Sequence, residues 1–366
     1  MDQQIDVRTL RQWLEEKRPV TVLDVRLDED RAQWSIPGSV HVNAYEALKA
    51  GNVDVLSNVE LARDVPLITI CNQGRVSQIA AKYLADRGVP AVSLQGGMQA
   101  WSLAWNIAAM DLSQMRVLQV RRTGKGCLSY LLCSDHEAIV IDASLEPELY
   151  IELAKQRGVR ICYVLDTHIH ADHLSRSKRL ADLAGAELWL PKQNRVHFPY
   201  HPLKNGSELH FGDSMLQAIP TPGHTVESTC YFVDQEVLFT GDTLFLSGVG
   251  RPDLHADSAQ ASERAGQLYR SLKKILALEP SVHIFPGHTG TPVPFNDEVL
   301  TARLGDIAAQ LQEWLVSEEG FKGNIIARIP PAPPNYARIT ELNETGESPD
   351  VDVTELEAGA NRCAIS

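Results

Sequence analysis

The chain has 366 residues, of which 44% are hydrophobic and 22% charged, and its formal net charge is −13. This composition predicts a globular protein of two or three domains, and the acidic balance argues against nucleic acid or an anionic membrane as a partner. No apolar run reaches the roughly 18 residues needed to cross a bilayer, and the first residues lack a signal-peptide pattern, so we expect a cytoplasmic protein.

Short strands alternate with helices over residues 1–107. We predict strands at 20–25 and 67–70, and a helix at 76–87 whose apolar residues recur with helical spacing. Alternating strands and helices predict an α/β domain with a parallel sheet that is covered on both faces.

Cys71 follows the second of these strands and opens a loop that leads into the helix. The loop continues with Asn72, Gln73, Gly74, Arg75 and Val76. Backbone N–H groups and a helix amino terminus stabilise a thiolate or a bound anion, and glycine permits the backbone curl that points such donors inward. The other five cysteines are scattered, without a Cys-x-x-Cys pair, and we expect most of them to be buried packing thiols in a reducing compartment.

Three further motifs surround this loop: LDVR at 23–26, IPGS at 36–39 and LQGGMQAW at 94–101. With them, residues 1–107 resemble rhodanese-like domains. The resemblance implies that Cys71 carries a persulfide and passes its outer sulfur to an acceptor.

The resemblance also implies that Asp24 and Arg26 support the loop rather than perform chemistry. Active rhodaneses often place basic residues at the second and last loop positions, where this chain has Asn72 and Val76. A doubly charged donor such as thiosulfate requires more positive charge, so a glutathione persulfide or protein persulfide is the expected donor.

The pattern changes after residue 107. We predict a linker at 108–114 and then, over 115–329, antiparallel-type strands that give way to strands alternating with helices. A proline-rich run and an acidic stretch follow, which predict a solvated or loosely packed extension over 330–366.

The strongest chemical signal is the sequence THIHADH at 167–173, directly after an apolar strand. Three more ligand-type residues follow predicted strands in the same way. Carboxyl ends of neighbouring strands meet at one end of a sheet, and imidazole and carboxylate groups suit zinc, iron and manganese. The sequence therefore predicts a metal site drawn from seven residues: His168, His170, Asp172, His173, His224, Asp242 and His288.

This pattern resembles the metallo-β-lactamase superfamily over roughly residues 115–330. The resemblance implies an αββα sandwich that follows the rhodanese-like domain and holds metal between its sheets. Within the superfamily, Ala171 and the GRPD motif at 250–253 resemble the persulfide dioxygenases. That likeness implies one ferrous iron per chain, and it implies that Arg251 holds glutathione.

The resemblance implies that the iron ligands are His168, His224 and Asp242. It also implies that the other four ligand-type residues, His170, Asp172, His173 and His288, surround these ligands. Two histidines and one carboxylate leave three coordination positions open for dioxygen and a persulfide sulfur, and zinc cannot activate dioxygen.

A two-zinc hydrolase of the glyoxalase II type remains open from the residues alone. One zinc would be bound by His168, His170 and His224, and the other by Asp172, His173 and His288. Asp242 would bridge the two ions, and a metal-bound water would attack a thioester.

The leading hypothesis is a fused persulfide dioxygenase and sulfurtransferase that oxidises glutathione persulfide with O2 to sulfite. Cys71 would move sulfane sulfur, giving thiosulfate where sulfite accepts it. The alternatives are the two-zinc thioester hydrolase with a rhodanese module, and a sulfur carrier or sensor whose metal is structural. The direction of sulfur flow between the domains stays open, and a homo-oligomer is compatible with the sequence.

Overall fold

The structure, a computed structural model, describes residues 4–347, 349, 351–359 and 361–365. Its first domain contains a sheet of parallel strands in the order β1-β5-β4-β2-β3. The strands are β1 (Gln4–Ile5), β2 (Thr21–Asp24), β3 (Val40–His41), β4 (Leu67–Ile70) and β5 (Ala91–Leu94). The helices are α1 (Val7–Glu15), α2 (Asp28–Gln33), α3 (Tyr45–Lys49), α4 (Val76–Ala85) and α5 (Gly97–Trp101), with a 3-10 turn at Asp54–Leu56.

Successive residues of the central strands pack on opposite faces of this sheet. Leu23 and Leu67 belong to one hydrophobic cluster, and Val22 and Ile68 belong to another. Because side chains alternate along a strand, a sheet with two buried faces needs helices on both sides. The predicted parallel α/β domain is confirmed.

The second domain contains two packed sheets. The first has the order β12-β11-β10-β9-β8-β7-β6, and the second has the order β13-β14-β15-β16-β19-β20. The first comprises β6 (Asn106–Asp111), β7 (Arg116–Arg121), β8 (Leu128–Ser134), β9 (Glu137–Ile141), β10 (Arg160–Leu165), β11 (Glu187–Pro191) and β12 (His201–Leu203). The second comprises β13 (Glu208–Phe211), β14 (Ser214–Pro220), β15 (Thr229–Val233), β16 (Val237–Gly241), β19 (His283–Pro286) and β20 (Ala302–Arg303).

The core between these sheets is mainly aliphatic and contains a cluster of aromatic rings. Tyr130 of the first sheet contacts Phe239 of the second, with ring centroids 4.9 Å apart, and Phe285 lies in the same cluster. Helices cover both outer faces: α6 (Pro147–Gln156) and α7 (Ser177–Ala184) on the first sheet, and α8 (Ser258–Ile275), α9 (Leu304–Leu311) and α10 (Glu318–Ala327) on the second. The αββα layering is the one predicted. Among the described residues, no helix is long and apolar enough to cross a membrane.

The predicted linker at 108–114 is wrong for most of its length. Strand β6 begins at Asn106 and pairs antiparallel with β7 along its whole length, so this segment is the edge of the first sheet. Its sequence, NIAAMD, contains one β-branched residue, which is why strand propensity did not reveal it. Asn106 accepts a hydrogen bond from Arg121 Nε at 2.9 Å, which fixes the edge strand to its neighbour.

The carboxyl-terminal extension packs on the second domain, so of the two expectations, a solvated extension or a loosely packed one, the solvated one is wrong. It forms α11 (Tyr336–Thr345), α12 (Val353–Leu356) and β21 (Ala364–Ile365), and β21 pairs with β18 (Gly248–Gly250), which also pairs with β17 (Leu244–Phe245). Its acidic residue Glu357 is buried between Arg122 at 2.6 Å and Arg176 at 2.8 Å. The acidic composition gave a wrong expectation because the arginines that pair with Glu357 lie elsewhere in the chain.

The first domain docks on the segment 122–127 of the second. Trp34 Nε1 donates to the carbonyl oxygen of Thr123 at 3.0 Å, and Arg122 Nε donates to that of Ser102 at 2.6 Å. The extension also reaches the first domain, where Gln99 Nε2 donates to Thr354 Oγ1 at 3.3 Å.

The buried Glu357 carboxylate predicts an acid-sensitive contribution to stability. Although burial raises its pKa, the charges of Arg122 and Arg176 lower it to about 2. A lowered carboxyl pKa gives stability that is present above the usual glutamate value of 4.5 and is lost as the pH falls toward about 2. At pH 7 we expect Glu357→Gln to lower the free energy of unfolding by about 3–5 kcal/mol, because two buried arginines lose their partner.

Denaturant titration between pH 7 and pH 2 measures this effect. The exposed Glu355→Gln is the matched control and should change the unfolding free energy by less than about 0.5 kcal/mol. A Glu357→Gln protein as stable as the control would contradict the prediction.

Candidate metal centre

All seven predicted ligand-type residues come together in one buried cluster at the ends of the strands. Each is no more than 3% exposed. The loops that carry them follow β10, β14, β16 and β19, so the rule that strand ends meet at one edge accounts for the assembly. Two glycines allow the loops to approach closely: a Cβ at Gly241 would lie 2.4 Å from Thr167 Oγ1, and one at Gly287 would lie 2.6 Å from Asp242 Oδ1.

His168, His224 and Asp242 form the first group of donor atoms, which we call the triad. Nδ1 of His168 is hydrogen-bonded to Thr167 Oγ1 at 2.9 Å, and Nδ1 of His224 to the carbonyl oxygen of Arg251 at 2.8 Å. These bonds direct both Nε2 atoms toward Asp242 Oδ2, at 3.9 and 3.6 Å. Within the described part of the chain, this buried oxygen has no hydrogen-bond partner. Three convergent ligand atoms, one of them an unsatisfied carboxylate oxygen, fit a metal ion.

The surroundings of the triad shift the pKa values of its three side chains toward the protonation states that bind a cation. Burial lowers the pKa of His168 and of His224, which favours the neutral form of both rings. Burial opposes ionisation of Asp242 as well, but the charge and hydrogen bond of His288 outweigh it and lower the pKa of this carboxyl. Neutral imidazole and ionised carboxylate are the forms that bind metal.

His170 lies beside the triad, with its ring centroid 4.3 Å from that of His168. Its Nε2 is 3.1 Å from Asp142 Oδ1, and Asp142 also accepts from the backbone N–H of Thr167 at 2.7 Å. Nδ1 of His170 is buried and has no partner among the residues described. His170 therefore remains available as an additional ligand, as a two-zinc centre requires.

A second group of donor atoms comprises Cys127, Asp172, His173 and His288, all within 4.8 Å of one another. His173 Nδ1 is 3.0 Å from Asp172 Oδ1, and the sulfur of Cys127 is 3.5 Å from Asp172 Oδ2. His288 links the two groups, because its Nδ1 is 2.6 Å from Asp242 Oδ1.

Sequence reasoning missed Cys127 because it precedes a strand rather than following one. β8 runs antiparallel to β9, and β9 runs parallel to β10, so the amino end of β8 lies at the same edge as the carboxyl end of β10. Cys127 forms a bridge with His288 there. Strand direction, which no local motif encodes, would have been needed to find it.

The assignment of Arg251 to glutathione is contradicted by its contacts. The side chain is 1% exposed and pairs with Asp253 through two hydrogen bonds of 2.8 and 2.7 Å. Nη1 donates to the carbonyl oxygens of Pro331 and Arg362, and Nη2 donates to that of Pro330 as well as to Asp253. Arg251 thus anchors the carboxyl-terminal extension, and its guanidinium group faces protein rather than a cavity.

Two cavities reach the triad, one on each side of Ile169. A cavity of about 220 Å³ is lined by His168, His170 and apolar side chains such as Leu190. A cavity of about 300 Å³ reaches His224 and carries the positive charges of Arg195 and Arg264. Helix α11 contributes to the wall of both cavities.

Asn343 of α11 also fastens the ligand loop. Its Nδ2 lies 2.9 Å from the carbonyl oxygens of His170 and His173, and its Oδ1 accepts from the N–H of Ser175. The extension is therefore part of the site, which its composition did not indicate.

The Cys71 loop has the anion-holding geometry that the sequence predicted. The sulfur accepts from the N–H groups of Gly74 at 3.1 Å and Ser77 at 3.4 Å, and from the Ser77 hydroxyl at 3.3 Å. Gly74 has φ +78°, and a Cβ there would lie 2.8 Å from the backbone nitrogen of Gly96. Cys71 itself is 1% exposed.

Of the other residues of the loop, some are exposed to solvent and others contact protein. Gln73 and Arg75 are exposed, and Val76 is buried at the start of α4. Asn72 Nδ2 donates to Asp30 Oδ2 at 2.8 Å, which ties the loop to α2.

Asp24 and Arg26 lie next to this loop and form a buried ion pair. Arg26 contacts Asp24 through two hydrogen bonds of 3.0 and 2.7 Å, and it donates to the carbonyl oxygen of Trp34 at 2.7 Å. These contacts join the end of β2 to α2 and the residue after it, and support of the Cys71 loop by this pair stays a prediction.

Comparison with known proteins agrees with both domains. The rhodanese-like domain model matches residues 6–104, and the metallo-beta-lactamase superfamily model matches residues 122–288. The hydroxyacylglutathione hydrolase of Rhizobium johnstonii is 35% identical over 181 residues, covering 46% of this chain and 67% of that protein. That of Francisella philomiragia is 34% identical, covering 43% of this chain and 61% of that protein. The chain thus spans about two thirds of the length of these relatives.

Solved structures show the same fold. A metallo-beta-lactamase from Staphylococcus aureus aligns with a TM-score of 0.57 and 26% identity, covering 64% of this chain and 74% of that one. ETHE1 from Myxococcus xanthus aligns with a TM-score of 0.55 and 24% identity, covering 63% of this chain and 98% of that one. The chain belongs to the metallo-β-lactamase superfamily and carries a rhodanese-like domain before its metal-binding domain.

Proposed function

We propose that this protein is a persulfide dioxygenase joined to a sulfurtransferase, with glutathione persulfide or a related small persulfide as substrate. The observation that carries the proposal is the triad, in which two histidines and one carboxylate converge, in a chain that also has a rhodanese-like domain. In the overall reaction, glutathione persulfide, dioxygen and water give glutathione, sulfite and two protons. Ferrous iron at the triad would supply the activation of dioxygen, which zinc cannot.

In this reaction the residues of the chain would bind the metal ion and the substrate and orient them. His168, His224 and Asp242 would hold the ion, and the hydrogen bonds at Nδ1 of both histidines fix their ring orientations. Since Arg251 is occupied and Arg195 is paired with Glu344 at 2.5 Å, a carboxylate of glutathione fits best near Arg264, in the cavity that reaches His224.

Cys71 accepts and releases sulfane sulfur. Its persulfide would be stabilised by the N–H groups of Gly74 and Ser77, and attack by sulfite on the outer sulfur would release thiosulfate and the Cys71 thiolate. The six cysteines are free thiols, which suits the reducing cytoplasm that we propose as its location.

A second candidate is a two-zinc thioester hydrolase. It is favoured by the hydroxyacylglutathione hydrolase relatives at 34–35% identity and by the available Nδ1 of His170. Such an enzyme makes no use of a persulfide, so the rhodanese-like domain favours the dioxygenase. A sulfur carrier or sensor with a structural metal is a third candidate, which measured turnover would exclude.

Metal analysis of protein purified without air tests the triad. We expect about one iron per chain in the wild type. Loss of an outer-shell partner typically lowers metal affinity by about 10- to 100-fold. Because Asp242→Asn removes a ligand itself, its iron affinity should fall by more than that. The exposed Asp213→Asn is the matched control and should keep its iron. Two zinc ions per chain, with no iron, would instead support the hydrolase.

Oxygen uptake tests the reaction. Iron-loaded protein should consume one dioxygen per glutathione persulfide and release sulfite, whereas zinc-loaded protein should consume none. The same preparations are offered an S-acylglutathione thioester as a control for hydrolysis. Thioester hydrolysis without oxygen uptake in the iron-loaded sample would reject the dioxygenase.

Substitution of Cys71 separates the two activities. Cys71→Ser should reduce sulfur transfer to sulfite by more than about 1,000-fold, the scale of losing a catalytic nucleophile, and leave oxygen uptake within about twofold. Mass spectrometry should find one added sulfur atom on the wild type after exposure to persulfide, and on Cys133→Ser as the buried-cysteine control. Unchanged transfer by Cys71→Ser would refute the assigned role.

A further inference from the structure

The cavity of about 220 Å³ beside His168 and His170 contains two polar side chains to which the proposed function assigns no role. Glu227 and Gln193 line it together with apolar side chains such as Leu190. Glu227 is 6% exposed. We call this space the Glu227 cavity. It combines apolar walls with a few polar groups, as sites for small molecules do.

The carboxylate of Glu227 has one oxygen in use and one without a donor. Oε1 accepts from the N–H of Ile169 at 3.1 Å. Oε2 is buried and accepts no hydrogen bond within the part of the chain that the structure describes. Arg195 Nη1 lies 3.5 Å away without hydrogen-bond geometry, and the same guanidinium group is held by Glu344 at 2.5 Å. A buried oxygen without a donor costs free energy, which an ammonium group of a ligand would recover.

The side-chain amide of Gln193 has the opposite need. Its Oε1 accepts from the backbone N–H groups of Arg195 at 2.6 Å and Val196 at 2.9 Å, so the orientation of the amide is fixed by its neighbours. Its Nε2 is buried and has no acceptor among the residues described. A primary amide nitrogen carries two donor hydrogens, and a carboxylate of a ligand would accept from them. Arg195 contacts both Gln193 and Glu227, so the two side chains are neighbours.

The positively charged side chains of the Glu227 cavity already pair with carboxylates. They are Arg176, Lys178 and Arg179, which lie 2.8, 3.4 and 2.7 Å from Glu357, Asp182 and Glu146. A simple anion therefore has no unpaired cation to bind here, and a ligand that contacts Glu227 must bring its own positive charge. We propose that this cavity binds the head group of an α-amino acid, with its ammonium group at Glu227 and its carboxylate at Gln193.

Ile169 separates this cavity from the one that contains Arg264, and both cavities reach the triad. A substrate whose sulfur lies at the triad can therefore extend into both. Glutathione has the matching shape, because its cysteine lies between a γ-glutamyl head group and a glycine carboxylate. The head group would enter the Glu227 cavity, and the glycine carboxylate would lie near Arg264. The inference rests on the glutathione-type substrate of the proposed function, but it holds for oxidation and for thioester hydrolysis alike.

Calorimetry with S-methylglutathione tests the head-group site without turnover. Its methyl group stands in for the outer sulfur of the persulfide and cannot react. The matched ligand is S-methyl-glutarylcysteinylglycine, which lacks only the ammonium group. Wild-type protein purified without air should bind S-methylglutathione about 10- to 100-fold more tightly than the matched ligand, because one hydrogen bond between charged groups is lost.

Variants assign the preference to the two side chains. Glu227→Gln keeps an oxygen for the N–H of Ile169 and should remove the preference, so that it binds both ligands within about twofold of each other. Gln193→Glu keeps an oxygen for the two N–H groups and should weaken both ligands, because both retain the carboxylate that it would repel. The exposed Glu208→Gln lies outside both cavities and should retain the wild-type preference.

The comparison of two ligands on the wild type keeps the test valid if a variant is unstable. Equal affinity of the wild type for both ligands would overturn the proposal, and so would the absence of any S-methylglutathione binding. A Glu227→Gln protein with the full wild-type preference would overturn the role of Glu227. Oxygen uptake with glutathione persulfide is scored separately, so the dioxygenase proposal and the head-group site can fail independently.

Discussion

The carboxylate of Asp242 is the interaction on which the arrangement of the centre depends. One oxygen accepts from His288, and the other lies between the Nε2 atoms of His168 and His224. A single side chain thereby joins the triad to the group that contains Cys127. This contact requires strand ends to approach so closely that glycine is needed beside it, at Gly241 and Gly287. The two oxygens therefore contact different groups of donor atoms: Oδ1 contacts the group that contains Cys127, and Oδ2 faces the triad.

The carboxyl-terminal extension is held by buried charges and not by apolar packing alone. Arg251 binds its two ends through the carbonyl oxygens of Pro330, Pro331 and Arg362, and Glu357 binds back to Arg122 and Arg176. Buried charges are costly unless paired, so each of these side chains makes the extension dependent on its docked position. Because α11 lines both cavities, the extension shapes access to the metal centre.

The two domains meet close to the metal centre of the second domain. The segment 122–127 contacts the rhodanese-like domain at one end and the ligand loops at the other, and the extension contacts α5, which lies against the Cys71 loop. In the proposed function, holding the Cys71 loop on the same chain as the metal centre raises the effective concentration of a short-lived sulfur intermediate. The docking is compatible with that proposal.

The sequence by itself determined the two domain types, the buried strands that precede the Cys71 loop and the ligand loops, the anion-holding loop at Cys71 and the seven ligand-type residues. These features are local, because the ligands follow four apolar strands and strand ends meet at one edge of a sheet. Tertiary structure alone decided the rest. The edge strand β6 has weak propensity and exists through its pairing with β7, and Glu357 is buried because arginines distant in the chain neutralise it. Arg251 matches a substrate-binding motif but is occupied by residues about 80 to 110 positions away, and Cys127 joins the centre only because β8 runs antiparallel to β9. Each of these depends on contacts between segments far apart in sequence, which periodicity and motif spacing do not encode.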